Sequence, residues 1–311
     1  MKKVIVIAGP TASGKTALSL HIADELHGEI VSADSMQIYR RMDIGTAKAT
    51  KEERALVPHH MIDVAEPDEN YSVARYVDEA ALCCEDILHR GKVPVITGGT
   101  GLYIDSLLSG RDFGACGEDP ELRSSLHAKY DLLGGEKMLE ELRTFDPGRA
   151  SVLHASDKKR IVRAFEVYLL TGETITEHDR RTREIPPRYD ALFLIPGFRD
   201  RELLYSRINA RVDAMFSLGL VEEVKALLAS GLSSECTAMQ AIGYKEIVSC
   251  LKGEISSAEA SELIKQSSRR YAKRQLTWFG RRTEVLRLFH EDAPSGDLCP
   301  EAIKKAKEFL I

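Results

Sequence analysis

Cysteine is scarce and badly spaced for a scaffold. Cys83, Cys84, Cys116, Cys236, Cys250 and Cys299 form no CxxC pair, and a chain this long needs no staples, so disulfide frameworks and zinc ribbons are excluded. Reduced thiols in a cytoplasmic protein are expected. No apolar run reaches the roughly 18–20 residues needed to span a bilayer, which excludes a membrane protein. The apolar stretch after Lys2-Lys3 is too short for a secretory signal and enters a glycine-rich loop, so it reads as a first buried strand. Glycine and proline are modest, and no repeat or low-complexity segment is evident. What remains, with 43% hydrophobic and 29% charged residues among 311, suits a soluble globular enzyme of one large or two modest domains.

The net charge of −5 by itself argues against a polyanion partner, but the distribution reverses the argument. Lys265, Arg269, Arg270, Lys273, Arg274, Arg281, Arg282 and Arg287 face one acid, Glu284, so this window carries +7 and the rest of the chain −12. A second window, 158–188, carries +3. Such segregation suits a localised phosphate-rich partner better than a solvated helix face.

Strand and helix alternate at first: 4–8 as strand, 17–26 as helix, 29–34 as strand, 72–90 as helix capped by Ser72, and 93–97 as strand. This implies a parallel sheet with helices on both faces. From about Gly114 to Arg188 only helical stretches are expected (121–129, 137–144, 157–170), before the sheet pattern resumes at 191–196. Long helices follow at 201–217, 221–229 and about 258–279, and 292–300 reads as loop. The expected architecture is an α/β, P-loop NTPase-like parallel sheet flanked by helices. Its catalytic core is 1–113 with 189–311, and 114–188 is an inserted all-helical subdomain.

Gly9-Pro10-Thr11-Ala12-Ser13-Gly14-Lys15-Thr16 fits G-x-x-x-x-G-K-T. Chance odds for a chain this long are about one in a hundred, and here a buried strand precedes the loop and a helix follows it. Backbone N–H groups of such a loop cradle a di- or triphosphate, Lys15 adds a point charge, and the Thr16 hydroxyl suits Mg²⁺. Asp34-Ser35-Met36-Gln37 follows the second strand and projects from the same sheet edge, where Asp34 serves as a magnesium acid, a general base or merely a turn cap. Gly98-Gly99-Thr100-Gly101 ends the third strand there, with the Thr100 hydroxyl available. His59-His60 lacks metal-ligand spacing and reads as structural or substrate-packing. Cys83-Cys84 reads as helix packing. Arg270, Arg274, Trp278 and Arg281 share one helix face, cations around an aromatic, as phosphate contacts and base stacking require.

These residues resemble the tRNA dimethylallyltransferase (tRNA isopentenyltransferase) family over nearly the whole chain. The resemblance rests on the phosphate loop, Asp34-Ser35-Met36-Gln37-Ile38-Tyr39, Ile44-Gly45-Thr46-Ala47-Lys48, Pro58-His59-His60-Met61-Ile62-Asp63 and Gly98-Gly99-Thr100-Gly101-Leu102-Tyr103. It continues through Asp157-x-x-Arg160-x-x-Arg163-Ala164-x-Glu166-Val167, Gln240-Ala241-Ile242-Gly243-Tyr244-Lys245-Glu246 and Lys273-Arg274-Gln275-x-Thr277-Trp278. Departures are small: Ala49 stands where Pro is usual, Ala155-Ser156 replaces Pro-Asn, and Gly280 replaces a common Arg, which bears on one tRNA phosphate contact.

The resemblance implies transfer of a dimethylallyl group from dimethylallyl diphosphate to N6 of the adenosine beside the anticodon on its 3′ side, in a cytoplasmic monomer using Mg²⁺. It implies catalytic roles for Asp34 as base, Lys15, Thr16 and Thr100, and for Arg207 or Arg211 at the leaving diphosphate, with no choice between the two. Residues 9–16 would hold the diphosphate. The tRNA anticodon stem-loop would meet Asp34, Ser35, Met36, Gln37 and Thr100. In the insert it would meet Arg123, Lys158, Lys159, Arg160, Ile161, Val162 and Arg163. Toward the C-terminus it would meet Gln240, Gly243, Tyr244, Arg270, Arg274, Gln275 and Trp278. The chief alternative is a P-loop nucleotide or small-molecule kinase with 114–188 as lid. An isopentenyltransferase of free AMP or ADP needs no basic cradle, and an NTP-switched RNA-binding protein leaves Asp34 unexplained.

Overall fold

The computed structural model describes residues 2–110 and 119–311. The turning point expected at 113–114 and Cys116 lie outside them. The chain divides into two compact units, Met1–Leu108 with Arg188–Ile311, and Ser109–Pro187.

The larger unit is built on six parallel strands: β1 (Lys3–Ala8), β2 (Glu29–Ser32), β3 (His59–His60), β4 (Pro94–Gly98), β5 (Asp190–Gly197) and β6 (Leu286–Phe289). Their spatial order is β3-β2-β4-β1-β5-β6. In β1, Val4 to Ala8 have no exposed surface, as expected of a central strand covered on both faces and made of β-branched residues. Ile5, Ile7, Ile30, Val95 and Leu194 form one core with Leu18 and Ile22 of helix Lys15–Glu25, and with Ala302 and Ala306 of helix Cys299–Leu310. A second core gathers Tyr39, Met42, Val212, Val224, Tyr244 and Ile264 beneath the loops that follow β2.

Parallel register brings the strand ends level. Ala8 lies opposite Gly98, Ser32 opposite Thr97, and Gly197 opposite Phe289. The segments after β1, β2, β4, β5 and β6 therefore leave from one edge. Because β1 sits between β4 and β5, connections diverge at its carboxyl end, where open α/β sheets bind ligands. Neither β3 nor β6 is among the expected strands; β3 is two residues long, and β6 starts at the end of the 265–287 basic window, ahead of 292–300, which reads as loop.

The smaller unit is helical in its described part. Its core packs Leu126, Met138, Leu142, Ile161, Val162 and Phe165. Helix Lys158–Thr171 presents Ile161, Val162 and Phe165 inward, the i, i+4 spacing of an amphipathic face. Helix Ile175–Arg183, opened by a Thr174–Glu177 capping box, lies beyond the expected helical stretches. Among the described residues, no helix is long and apolar enough to cross a membrane.

Candidate active site

The phosphate loop joins β1 to helix Lys15–Glu25 through Gly14 at φ +94°, a left-handed conformation that glycine adopts without strain. Lys15 folds its ammonium back over the loop to the Pro10 carbonyl, 2.6 Å away. Although the residue keeps some exposed surface, the ammonium is enclosed. Burial lowers its pKa to about 7, the neighbouring Arg211 acts in the same direction, and Asp34 opposes.

Asp34 follows β2 directly. Its Oδ1 accepts the Met36 N–H at 2.9 Å, which fixes the carboxylate and leaves its other oxygen for chemistry. Thr100 Oγ1 accepts the Ser35 N–H at 3.0 Å, tying the loop after β4 to the loop after β2. The two approach so closely that a Cβ on Gly98 would lie 2.1 Å from the Ala33 carbonyl oxygen. Gln37 contributes to the loop itself, donating to the Thr46 and Ala47 carbonyls.

Two long helices close the site. On helix Arg201–Ser217 the arginines separate. Arg211 donates to Thr11 Oγ1 at 3.3 Å and burial lowers its pKa, whereas exposed Arg207 donates to the Ala12 carbonyl from outside. Helix Ser257–Gly280 brings Tyr271 and Arg274 to the site, and Gln275, which accepts the Thr11 N–H at 2.9 Å and donates to the Gly99 carbonyl at 3.0 Å. Burial, with the nearby Asp34 charge, pushes the Tyr271 hydroxyl up to about 12, so it stays a neutral donor. Trp278 is half exposed, its Nε1 held by Asp105 at 2.8 Å.

The result is a cavity of about 350 Å³ in which Lys15, Thr16, Asp34, Arg211, Arg274 and Gln240 meet the apolar Ile208, Val212, Met215, Ile242 and Ile264. A groove beside it runs along residues 12–17 to Arg207 and Arg211.

Several residues expected at tRNA are buried or have partners within the protein. Ile161 and Val162 are core side chains of the smaller unit. Tyr244 is fully buried, and its hydroxyl donates to Glu223, which also accepts the N–H groups of Asp43, Ile44 and Gly45. Gly243 caps the following helix at φ +99°. Gln275 spends its amide on the two glycine loops. Arg123 and Arg163 both bind the buried carboxylate of Glu166, while Lys158 reaches Asp131. Lys159 and Arg160 are exposed. Replacing Arg123 and Arg163 together by Ala is therefore expected to destabilise the protein by about 3 kcal/mol or more, by leaving a buried charge unpaired. Chemical denaturation checks this, and unchanged stability would return both arginines to RNA contact.

An anion-binding loop at the switch point of a parallel sheet, facing a carboxylate across a partly apolar cavity, defines a P-loop-type transferase acting on a phosphorylated donor. Two family descriptions match, IPP transferase over residues 37–283 and isopentenyl transferase over 2–59. The tRNA dimethylallyltransferase of Carboxydothermus hydrogenoformans is 49% identical over 311 residues, covering 100% of this chain and 96% of that one. The structure of the tRNA isopentenylpyrophosphate transferase from Bacillus halodurans superposes with TM-score 0.72 at 38% identity, over 100% of this chain and 96% of that one. A eukaryotic dimethylallyltransferase solved acting on tRNA gives TM-score 0.86 at 30% identity, over 100% and 80%. The chain belongs to the tRNA dimethylallyltransferase family of prenyltransferases.

Proposed function

We propose that this chain transfers the dimethylallyl group of dimethylallyl diphosphate to N6 of the adenosine 3′ to the anticodon of tRNA, releasing diphosphate. The observation that carries the reading is the mixed lining of one cavity: buried cations for a diphosphate, an aliphatic wall for a five-carbon chain, and a carboxylate between loops for the amine proton.

The C1–O bond to diphosphate breaks as the C1–N6 bond forms. The allylic carbon gains cationic character, so the barrier depends on stabilising the departing negative charge. Loop N–H groups, Lys15 and Arg211 are aimed at that charge. Arg211 is the better placed of the two arginines because it lines the cavity, while Arg207 serves the outer groove. The amine proton passes to Asp34, whose second oxygen is uncommitted. Thr100 and Gln275 fix the spacing between the loops. The exposed Thr16 hydroxyl suits Mg²⁺, a hard cation that keeps several waters and binds through few protein oxygens plus substrate phosphates. Among the described residues, no group of three or more His, Cys, Asp or Glu side chains could hold it instead. Bound there, the ion would neutralise diphosphate charge.

The adenine must leave its stack to reach Asp34. Arg270, Lys273, Arg274 and Arg281 lie exposed along and just past helix Ser257–Gly280, and we assign them to the tRNA backbone. In the smaller unit, Lys159 and Arg160 take the same role. The reading places the protein as a monomer in the cytoplasm, where tRNA is found. Replacing Arg270 and Arg274 by Ala is expected to weaken anticodon stem-loop binding and lower its log–log salt slope by about 1.4–1.8 units. Titration of a fluorescent stem-loop at several salt concentrations reads both, and an unchanged slope would make the charge run a solvated face. The reading as a whole is tested by incubating the protein with tRNA and dimethylallyl diphosphate and analysing the nucleosides. Dimethylallylated adenosine beside the anticodon is expected, and unmodified tRNA would overturn it.

A further inference from the structure

β6 leaves the sheet at the edge of the phosphate loop and delivers His290 beside it. The ring nitrogen Nε2 lies 3.0 Å from the carbonyl oxygen of Ser13, and Nδ1 lies 2.8 Å from that of Gly296. Carbonyl oxygens only accept. A neutral imidazole carries one N–H and satisfies one of them; the imidazolium carries two and satisfies both. The ring is stacked on Phe198, with centroids 4.6 Å apart and planes 19° from parallel, so it cannot swing away without losing that contact. A Cβ on Gly14 would come within 3.2 Å of Nε2, which shows how closely the ring abuts the turn.

The Ser13 carbonyl and the Gly14 N–H belong to one trans peptide plane and point in opposite directions. Holding the carbonyl outward therefore aims the N–H inward, toward the groove lined by residues 12–17, Arg207 and Arg211. We propose that His290, as the imidazolium, is a positioning residue for the donor's diphosphate, fixing the Ser13–Gly14 peptide in its anion-binding orientation and adding positive charge behind the loop. This rests on the reading of the loop as the diphosphate seat. The charged groups around the ring come from each neighbouring segment. Lys15 follows Gly14, and Arg207 packs over Phe198. Glu291 and Asp292 are engaged by Arg199. Asp297 lies ahead of the last helix; its carboxyl is held low first by the Cys299 N–H, with His21 and His290 as smaller causes.

The test is binding of inorganic diphosphate to the full chain and to His290→Gln, by calorimetry at about pH 6. Glutamine donates to one carbonyl at most and carries no charge. At about pH 6 the variant is expected to bind diphosphate roughly tenfold more weakly, the size of a lost charge-assisted hydrogen bond. Its affinity for the anticodon stem-loop is expected to be unchanged. Lys15 is present in both proteins, so the difference between them isolates His290. Equal diphosphate affinity would overturn the assignment while leaving the diphosphate site intact. Failure of the wild type to bind diphosphate at all would remove both. If the variant does not fold, ¹⁵N resonances of the ring in the wild type, identified through its contact with Phe198, decide the matter. Two protonated nitrogens in the diphosphate complex are expected, and a neutral tautomer would contradict the proposal.

Discussion

Replacing Asp34 by Asn is expected to lower the single-turnover rate of prenyl transfer by about 10²–10⁴-fold, the range typical of a lost general base. Asparagine keeps an Oδ1 for the Met36 N–H, so the loop geometry should survive while proton acceptance is lost. Affinity for tRNA and for diphosphate should change by no more than about twofold, so the loss falls on turnover rather than on KM. Rapid-quench measurements with saturating enzyme read the chemical step directly. A rate near that of the wild type would assign the proton to solvent or to another group and reduce Asp34 to a turn residue.

Lys15→Met carries an effect of similar size and a second, opposite one. Removing a preorganised cation at the leaving group is expected to reduce use of dimethylallyl diphosphate by about 10²–10³-fold. The ligand-free protein, however, should become more stable. Burial and Arg211 bring the Lys15 pKa down to about 7, so the folded state binds its proton less tightly than the unfolded chain does. Between about pH 7 and the ordinary lysine value of 10.5 the unfolded chain carries the extra proton, and stability rises with pH. The penalty is thus complete below about pH 7 and fades at alkaline pH. Lys15→Met should melt a few degrees higher at neutral pH, with the gap closing toward pH 10. Bound diphosphate should reverse the order by stabilising only the wild type strongly. A variant that melts lower than the wild type at every pH would mean the lysine supports the fold.

Much of this site could be read from the chain because its parts are local. The phosphate loop needs its glycines, lysine and threonine at fixed spacing between a strand and a helix, and all of that lies within residues 4–26. The acid after β2 and the glycines after β4 are likewise strand-end features, and parallel register then brings them together. Contacts that depend on distant pairing left no such trace. His290 meets Ser13 across the sheet, after a strand of four residues that begins at the end of a window dominated by charge. The alternation of Leu286, Leu288 and their neighbours was the available signal. Gln275 lay within a recognised motif, but its role as a brace between Thr11 and Gly99 needed coordinates. Arg207 and Arg211, one helical turn apart, could not be separated until their exposure and partners were seen. Conversely, the motif run in the smaller unit mixes exposed with buried residues, and the spacing of Ile161, Val162 and Phe165 marks its buried face.

The central claim is that the phosphate loop serves a prenyl diphosphate and not a nucleoside triphosphate. It is tested most directly by following released diphosphate and ADP in one reaction containing tRNA, dimethylallyl diphosphate and ATP, alongside the modified nucleoside. The account predicts one diphosphate released per dimethylallylated adenosine, no ADP, and the same yield when ATP is omitted. ADP formed in step with turnover, or modification that depends on ATP, would contradict it.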